Sequence, residues 1–302
     1  MALNLDIVDA HHHVCDLTHS YPWLEGPVEP FRYHGDDRPI RRSYLIDDYL
    51  RDFDGLRLVG SIHIENGAAD PLWETMWVDT VRSSRGLPSA LVAKVDLLAS
   101  DARAKLAQQA SFEAVHGVRD ILNWHPDPTF THRDRNDLMT DAHWLDGFCA
   151  LAEYGLSFDL QVYPQQLPDA AKLAADHPDI RIILDHAGMP IGRDPDSVGE
   201  WRKGMTELAR RPNVVTKISG LGLNDHAWTI ASVRPFVLET INIFGPQRCM
   251  FGSNFPVDGL YSSLVKLYVA FDELTLDLNE SDRRSLFAET ARRTYRLGKA
   301  SA

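Results

Sequence analysis

The sequence predicts a (β/α)8 barrel, the TIM-barrel form of the α/β class, in a single domain over residues 1–302, and three observations carry that expectation. Short, β-branched apolar runs recur eight times along the chain. Segments of helical composition separate them, the pattern of βα units on a parallel sheet. Polar residues then gather at the C-terminal ends of the runs, where barrel enzymes place their active groups. Alternation alone would also suit a doubly wound sheet, so the count of eight and the gathering of polar ends decide between them.

In order, the runs occupy residues 6–14 (DIVDAHHHV), 58–65 (LVGSIHIE), 90–97 (ALVAKVDL) and 114–122 (AVHGVRDIL). The second half supplies 157–164 (SFDLQVYP), 181–188 (RIILDHAG), 213–220 (NVVTKISG) and 249–256 (CMFGSNFP). Helices are expected over 70–84, 101–109, 144–154, 169–176, 200–210, 233–244, 263–276 and 280–295, the last as a solvated outer helix. Asp9, His11 and His13 end the first run, Glu65 the second, Asp96 the third, Gln161 and Tyr163 the fifth, Asp185 and His186 the sixth, and Asn254 the eighth. Each alone reads as a strand end meeting solvent; together they mark one face.

Two connections are long for a compact domain, residues 15–57 after the first strand and 123–142 after the fourth. Both fall over the same face, as lids would. The first carries Tyr21, Trp23, Phe31, Tyr33 and Tyr44, and the second carries Trp124, His125, His132, Arg133 and Arg135. Trp23 and His125 are candidate substrate contacts, although packing over the barrel mouth accounts for loop aromatics equally well.

Composition excludes several function classes. Lys and Arg number 31 against 43 Asp and Glu, a net charge of −12, which opposes binding to phosphate backbones or anionic lipid. No run approaches the roughly 18 uninterrupted apolar residues of a membrane span, and the first residues lack a basic, then apolar, leader. A cytoplasmic protein with a small-molecule substrate is expected. The 3 cysteines form no CxxC pair, so neither a disulfide framework nor a cysteine zinc site is implied. A GxSxG elbow, a P-loop and a GxGxxG turn after a strand are all missing.

His11 and His13 sit two apart on a strand, so both side chains share one face while His12 points the other way. They can converge on one metal ion or one substrate group. H-x-H alone is a weak motif, because histidines are often satisfied by core hydrogen bonds; its companions give it weight.

Those companions, DAHHHV, SYPWL, GVRDILNWHP, SFDLQVYPQQLP, IILDHAGMP, NVVTKISGL and CMFGSNFPVD in this order, resemble the amidohydrolase-related superfamily of TIM-barrel hydrolases. More narrowly they are similar to its lactonase-rich branch, which includes sugar lactonases and the pyrone dicarboxylate lactonase. The resemblance spans roughly residues 6–297. It implies that His11 and His13 are the family's H-x-H, that His186 is its sixth-strand histidine, and that Arg119 is its substrate-contacting arginine on strand four. Gln161 and Tyr163 would be polar substrate contacts from strand five.

One position departs from the family pattern. The aspartate that usually acts as general base in GSDxP is Asn254 here, in GSNFP. An amide cannot take up a proton near neutral pH, so His186 or Asp258 must activate water. His11, His13 and His186 could hold one divalent ion such as zinc, with an open position for water or a carbonyl. Members of the branch also work without metal, and both alternatives stay open. The bridging lysine of binuclear relatives has no counterpart on strand four, and Lys94 and Lys217 lie on other strands.

Arg119, Arg133, Arg135, His125 and His132 would place cationic groups on the loop-bearing face of an acidic protein, which suits an anionic substrate. The reading that results is hydrolysis of a lactone of a small acidic or sugar-derived compound. Its rivals are a metal-dependent decarboxylase or hydratase of an unsaturated dicarboxylate, and a barrel that binds a metabolite without catalysis.

Overall fold

Period-two alternation in the apolar runs sends one set of side chains into a barrel and the other outward against helices. The computed structural model describes residues 4–28 and 33–298, so Phe31 of the first long connection lies outside the described residues. Strands β1 (Asp6–His12), β2 (Arg57–Ile64), β3 (Ala90–Lys94), β4 (Val115–Ile121), β5 (Ser157–Gln161), β6 (Ile182–Leu184), β7 (Val214–Ile218) and β8 (Cys249–Phe251) form one sheet in sequential order. Every neighbouring pair is parallel. This is the expected (β/α)8 barrel. Val8, Ala10, Ile62, Ile64, Ala90, Val92, Ile183, Val215 and Met250 fill its interior, while Ile7, Leu91, Phe158, Leu160, Ile182 and Leu184 join the core beneath the outer helices.

The seam between β1 and β8 closes through few bonds. The Asn254 amide donates to the His11 carbonyl at 2.7 Å, and the His13 amide donates to the Phe255 carbonyl at 2.8 Å. Asp9, wholly buried, adds a side-chain stitch: its Oδ1 accepts from the Ser253 amide at 2.7 Å and its Oδ2 from the Ser253 hydroxyl at 2.6 Å and Tyr49 at 2.9 Å. Its carboxylate is therefore committed to closing the barrel.

The last helical segment differs from the solvated helix expected. It runs as Glu280–Arg284, a π-turn over Ser285–Glu289, and Thr290–Thr294. Leu286, Phe287, Ala288, Ala291 and Tyr295 are buried, and Ala288, Ala291 and Tyr295 join the interior cluster of the barrel. Glu280, Ser281, Arg284, Glu289 and Arg293 keep one side of the segment exposed, while its apolar side plugs the barrel floor.

Both long connections are present and lie over one face. The first contains a short helix at Pro22–Glu25 and another at Ile46–Asp52, neither of which the apolar periodicity of so short a segment had marked. Among the described residues no helix is long and apolar enough to cross a membrane.

Candidate active site

At the C-terminal rim two strands end sooner than their sequences suggest. β6 stops at Leu184, and His186, Ala187, Gly188 and Met189 then all take left-handed φ values of 54°, 52°, 70° and 46°. Such conformations strain L-residues by about 1–3 kcal/mol each and persist where the surroundings over-determine them. Here Trp201 Nε1 fixes the turn by donating to the Ala187 carbonyl at 2.7 Å. Gly220, at φ 64°, lets the end of β7 approach: a Cβ there would lie 2.6 Å from His186 Nδ1. β8 stops at Phe251, and Asn254 is likewise left-handed at φ 56°.

The effect is to aim three imidazoles at one another. The His11 ring lies 4.6 Å from that of His186 and 5.1 Å from that of His13. His12 faces the other way, stacked on Tyr49 at 4.0 Å and bonded to Ser61. His13 Nδ1 is 2.8 Å from the Ile64 carbonyl, which can only accept, so Nδ1 carries the proton and Nε2 presents a lone pair. His186 Nδ1 lies 2.9 Å from the Ser219 hydroxyl. All three are neutral at pH 7. Burial pushes His11 and His13 well below the usual imidazole range, assisted by Lys217 for the first and Arg119 for the second. Burial pushes His186 down to about 4, with Asp185 opposing and Arg119 and Lys217 assisting.

Below the histidines lies a cation that the spacing analysis set aside. Lys217, wholly buried on β7, places Nζ 2.5 Å from Asp159 Oδ2, 3.0 Å from Asp185 Oδ1 and 3.3 Å from His11 Nδ1. Tyr295 donates to Asp159 from the barrel floor at 2.8 Å. Burial alone would raise Asp185, but the Lys217 ammonium and then His11 hold it well below the usual carboxylate range.

His11, Asp185 and His186 offer ligand atoms that all lie within 4.8 Å of one another. His11 Nε2 and Asp185 Oδ2 have no hydrogen-bond partner among the described residues. An orphaned imidazole nitrogen beside an orphaned carboxylate oxygen is a donor set that fits one zinc-like ion. Relative to the expected set of His11, His13 and His186, the close group has Asp185 where His13 was anticipated. A second divalent ion would meet the Lys217 ammonium, which already supplies positive charge against Asp185 and His11.

Above this cluster a cavity of about 570 Å³ opens at the barrel mouth. Its wall includes Trp23, Arg119, Gln161, Asn254, His13 and His186 from the expected site, together with Glu65, Lys94, Asp120, His132 and Arg133. Arg119 Nε donates to Glu65 Oε1 at 2.8 Å, and Arg133 pairs with Asp120. Trp23 Nε1 donates to the Asn66 carbonyl at 2.6 Å, and Gln161 Nε2 to Asn123 at 3.0 Å.

Four residues of the expected site, His11, Tyr163, His125 and Asp258, lie off the cavity wall. Tyr163 donates to the Phe130 carbonyl at 2.7 Å, and its ring meets those of His125 and Phe130, so this group braces the second long loop. His125 itself accepts from the Asp127 amide at 3.0 Å. Asp258, 2% exposed, sits behind Asn254, whose Nδ2 donates to Asp258 Oδ1 at 3.1 Å.

Burial pushes Asp258 up to about 7, against opposing bonds from Asn254 and Gly220. Because the folded value exceeds the unfolded one, the folded state holds the proton more tightly. Stability is then fully present below about pH 4 and falls as pH rises toward 7. Asp258→Asn should flatten that fall, and urea unfolding of both proteins between those pH values measures it.

Residues 8–297 match the family model described as amidohydrolase. The uncharacterized protein y4mH of Sinorhizobium fredii is 39% identical, the match covering 97% of this chain and 99% of that one. An L-fucono-1,5-lactonase of Burkholderia multivorans is 27% identical, with 96% of each chain covered. Among solved structures, an amidohydrolase from Burkholderia multivorans with bound zinc superposes with a TM-score of 0.81 at 26% identity, covering 97% of this chain and 99% of that one.

Proposed function

This chain belongs to the amidohydrolase family, and from that premise we propose that it is a lactonase, opening the cyclic ester of a small acidic or sugar-derived substrate by attack of water at the barrel mouth. One observation carries the reading. Neutral His13 and His186, charged Arg119 and the Asn254 amide share the wall of a single cavity of about 570 Å³ large enough for a small ring. A relative that is 27% identical over nearly its whole length bears a lactonase name, which supports the same chemistry.

The mechanism follows from what each group can do. Arg119 stays charged: burial would lower it, but Glu65 more than offsets this, and its remaining donors can bond the lactone carbonyl as negative charge develops there. In the tautomer whose Nδ1–H donates to the Ser219 hydroxyl, His186 Nε2 accepts a proton from water as the water oxygen bonds the carbonyl carbon. The acyl–oxygen bond of the ring then breaks, and His186 returns the proton to the departing alkoxide, giving a hydroxy acid. Asn254, with Nδ2 held by Asp258, presents Oδ1 to the second proton of the attacking water. Asp258 thus positions Asn254, and its place off the cavity wall favours His186 as the base.

The His186 lone pair has a second, mutually exclusive use. A divalent ion held by His11, Asp185 and His186 would polarise the carbonyl and acidify water.

A pH-indicator screen against aldonolactones, muconolactones and pyrone carboxylates, with a chelator-treated sample alongside, tests the proposal. Acid release from at least one class is expected; loss of it in the chelated sample assigns the lone pair to metal, and retention assigns it to the proton. Release of carbon dioxide, or ligand-induced thermal shifts without any turnover, would contradict the lactonase reading.

A further inference from the structure

The cavity is electrostatically unbalanced at one point. Arg119 is matched by Glu65 and Arg133 by Asp120, while the imidazoles of His13 and His186 are neutral. Lys94 has no such match. It ends β3 with its side chain on the cavity wall and exposed, and among the described residues it forms no hydrogen bond or ion pair. Glu65 feels it only at longer range: burial would raise Glu65, but Arg119 first and Lys94 next hold it below the usual carboxylate range.

Strand geometry explains where Lys94 points. Ala90 and Val92 face the barrel interior and Leu91 and Ala93 the outer core, so period two turns Lys94 inward. In the parallel register Lys94 stands beside Arg119 of β4. The histidines rise from β1 and from the turn after β6, which β2 on one side and β4 and β5 on the other separate from β3. Lys94 therefore faces the reacting centre from another part of the wall, with Arg119 next to it on the β4 side.

We propose that Lys94 is the specificity residue of this site, binding a carboxylate carried on the lactone ring while the ring carbonyl lies against His13, His186 and Arg119. The proposal rests on the lactonase reading and selects within it: the substrate is an acidic lactone, and a neutral sugar lactone leaves the ammonium without its counter-ion. An ammonium is a compact point charge on a flexible stem, suited to a carboxylate whose position varies by an ångström or so.

The test uses 5-oxotetrahydrofuran-2-carboxylate and its carboxamide for turnover, and the corresponding γ-lactams, pyroglutamate and pyroglutamide, for binding by calorimetry. The lactams keep the ring carbonyl and the carboxylate but resist opening. A charge-assisted bond predicts that the wild type favours the acid over the amide by about 10- to 100-fold in kcat/KM and in affinity. In Lys94→Met that preference should collapse to near unity, and Lys94→Arg should keep most of it, which separates lost charge from disturbed folding. Lactone turnover with the same preference in wild type and Lys94→Met, or with none in wild type, overturns the proposal and leaves the lactonase reading standing. Lys94-dependent lactam binding without turnover of either lactone, and without acid release from any lactone class screened above, supports the carboxylate site and overturns the lactonase reading.

Discussion

Lactone hydrolysis by His186→Asn falls by about 10²- to 10⁴-fold in kcat/KM, the usual contribution of a positioned acid–base group. Asparagine is the informative replacement because it tolerates the left-handed backbone at φ 54° that a larger residue would strain. It removes the imidazole lone pair while sparing the turn that Trp201 holds. The melting temperature should change little by comparison. Wild-type turnover in this variant would remove His186 from the proton path and return Asp258, pushed up to about 7, to the role of base.

Lys217→Met acts on the fold. The ammonium sits between Asp159 and Asp185, each wholly buried, at 2.5 and 3.0 Å. Removing one partner of a buried ionic group destabilises by about 3–5 kcal/mol, because an uncompensated charge stays behind. In a barrel of this size that lowers the melting temperature on the order of 10 °C. Combining it with Asp159→Asn should recover part of the loss, since the surplus carboxylate disappears. A single variant that melts with the wild type would show that the trio is neutral overall. Burial first, and then the Lys217 amine 3.3 Å from its Nδ1, make His11 a poor proton acceptor.

Much of this was legible in the residues, for reasons that can be named. Eight short apolar runs separated by helical segments are a strong local signal, and all eight strands appear at their expected places. Alternation puts His11 and His13 on one face, but with Val8 and Ala10 inward it takes the register shift between Asp9 and His12 to turn that face to the barrel interior. The strand ends were less legible, because the left-handed turn at residues 186–189 depends on Trp201 and Gly220, which come from elsewhere in the chain. The strand that Lys217 occupies says little about its role. Its better signal was physical: a lysine inside the apolar strand NVVTKISG has to be buried, and a buried lysine has to be paired. Asp185 then follows as its partner. Lys94 carries a different signal: Ala90 and Val92 mark the inward phase of its strand, and its place at the strand's end leaves it exposed to the cavity. Tyr163 and His125 read as substrate contacts in the sequence, and only the course of residues 123–141 shows them bracing a loop off the cavity wall.

The central claim is that water attacks the carbonyl of a lactone. The most direct measurement is mass and carbon-13 analysis of the product formed in ¹⁸O-labelled water from whichever lactone the enzyme consumes. The account predicts a hydroxy acid one water heavier than the substrate, with the label in the new carboxylate. A product that has lost carbon dioxide, or one carrying the label on a former carbon–carbon double bond, would contradict it.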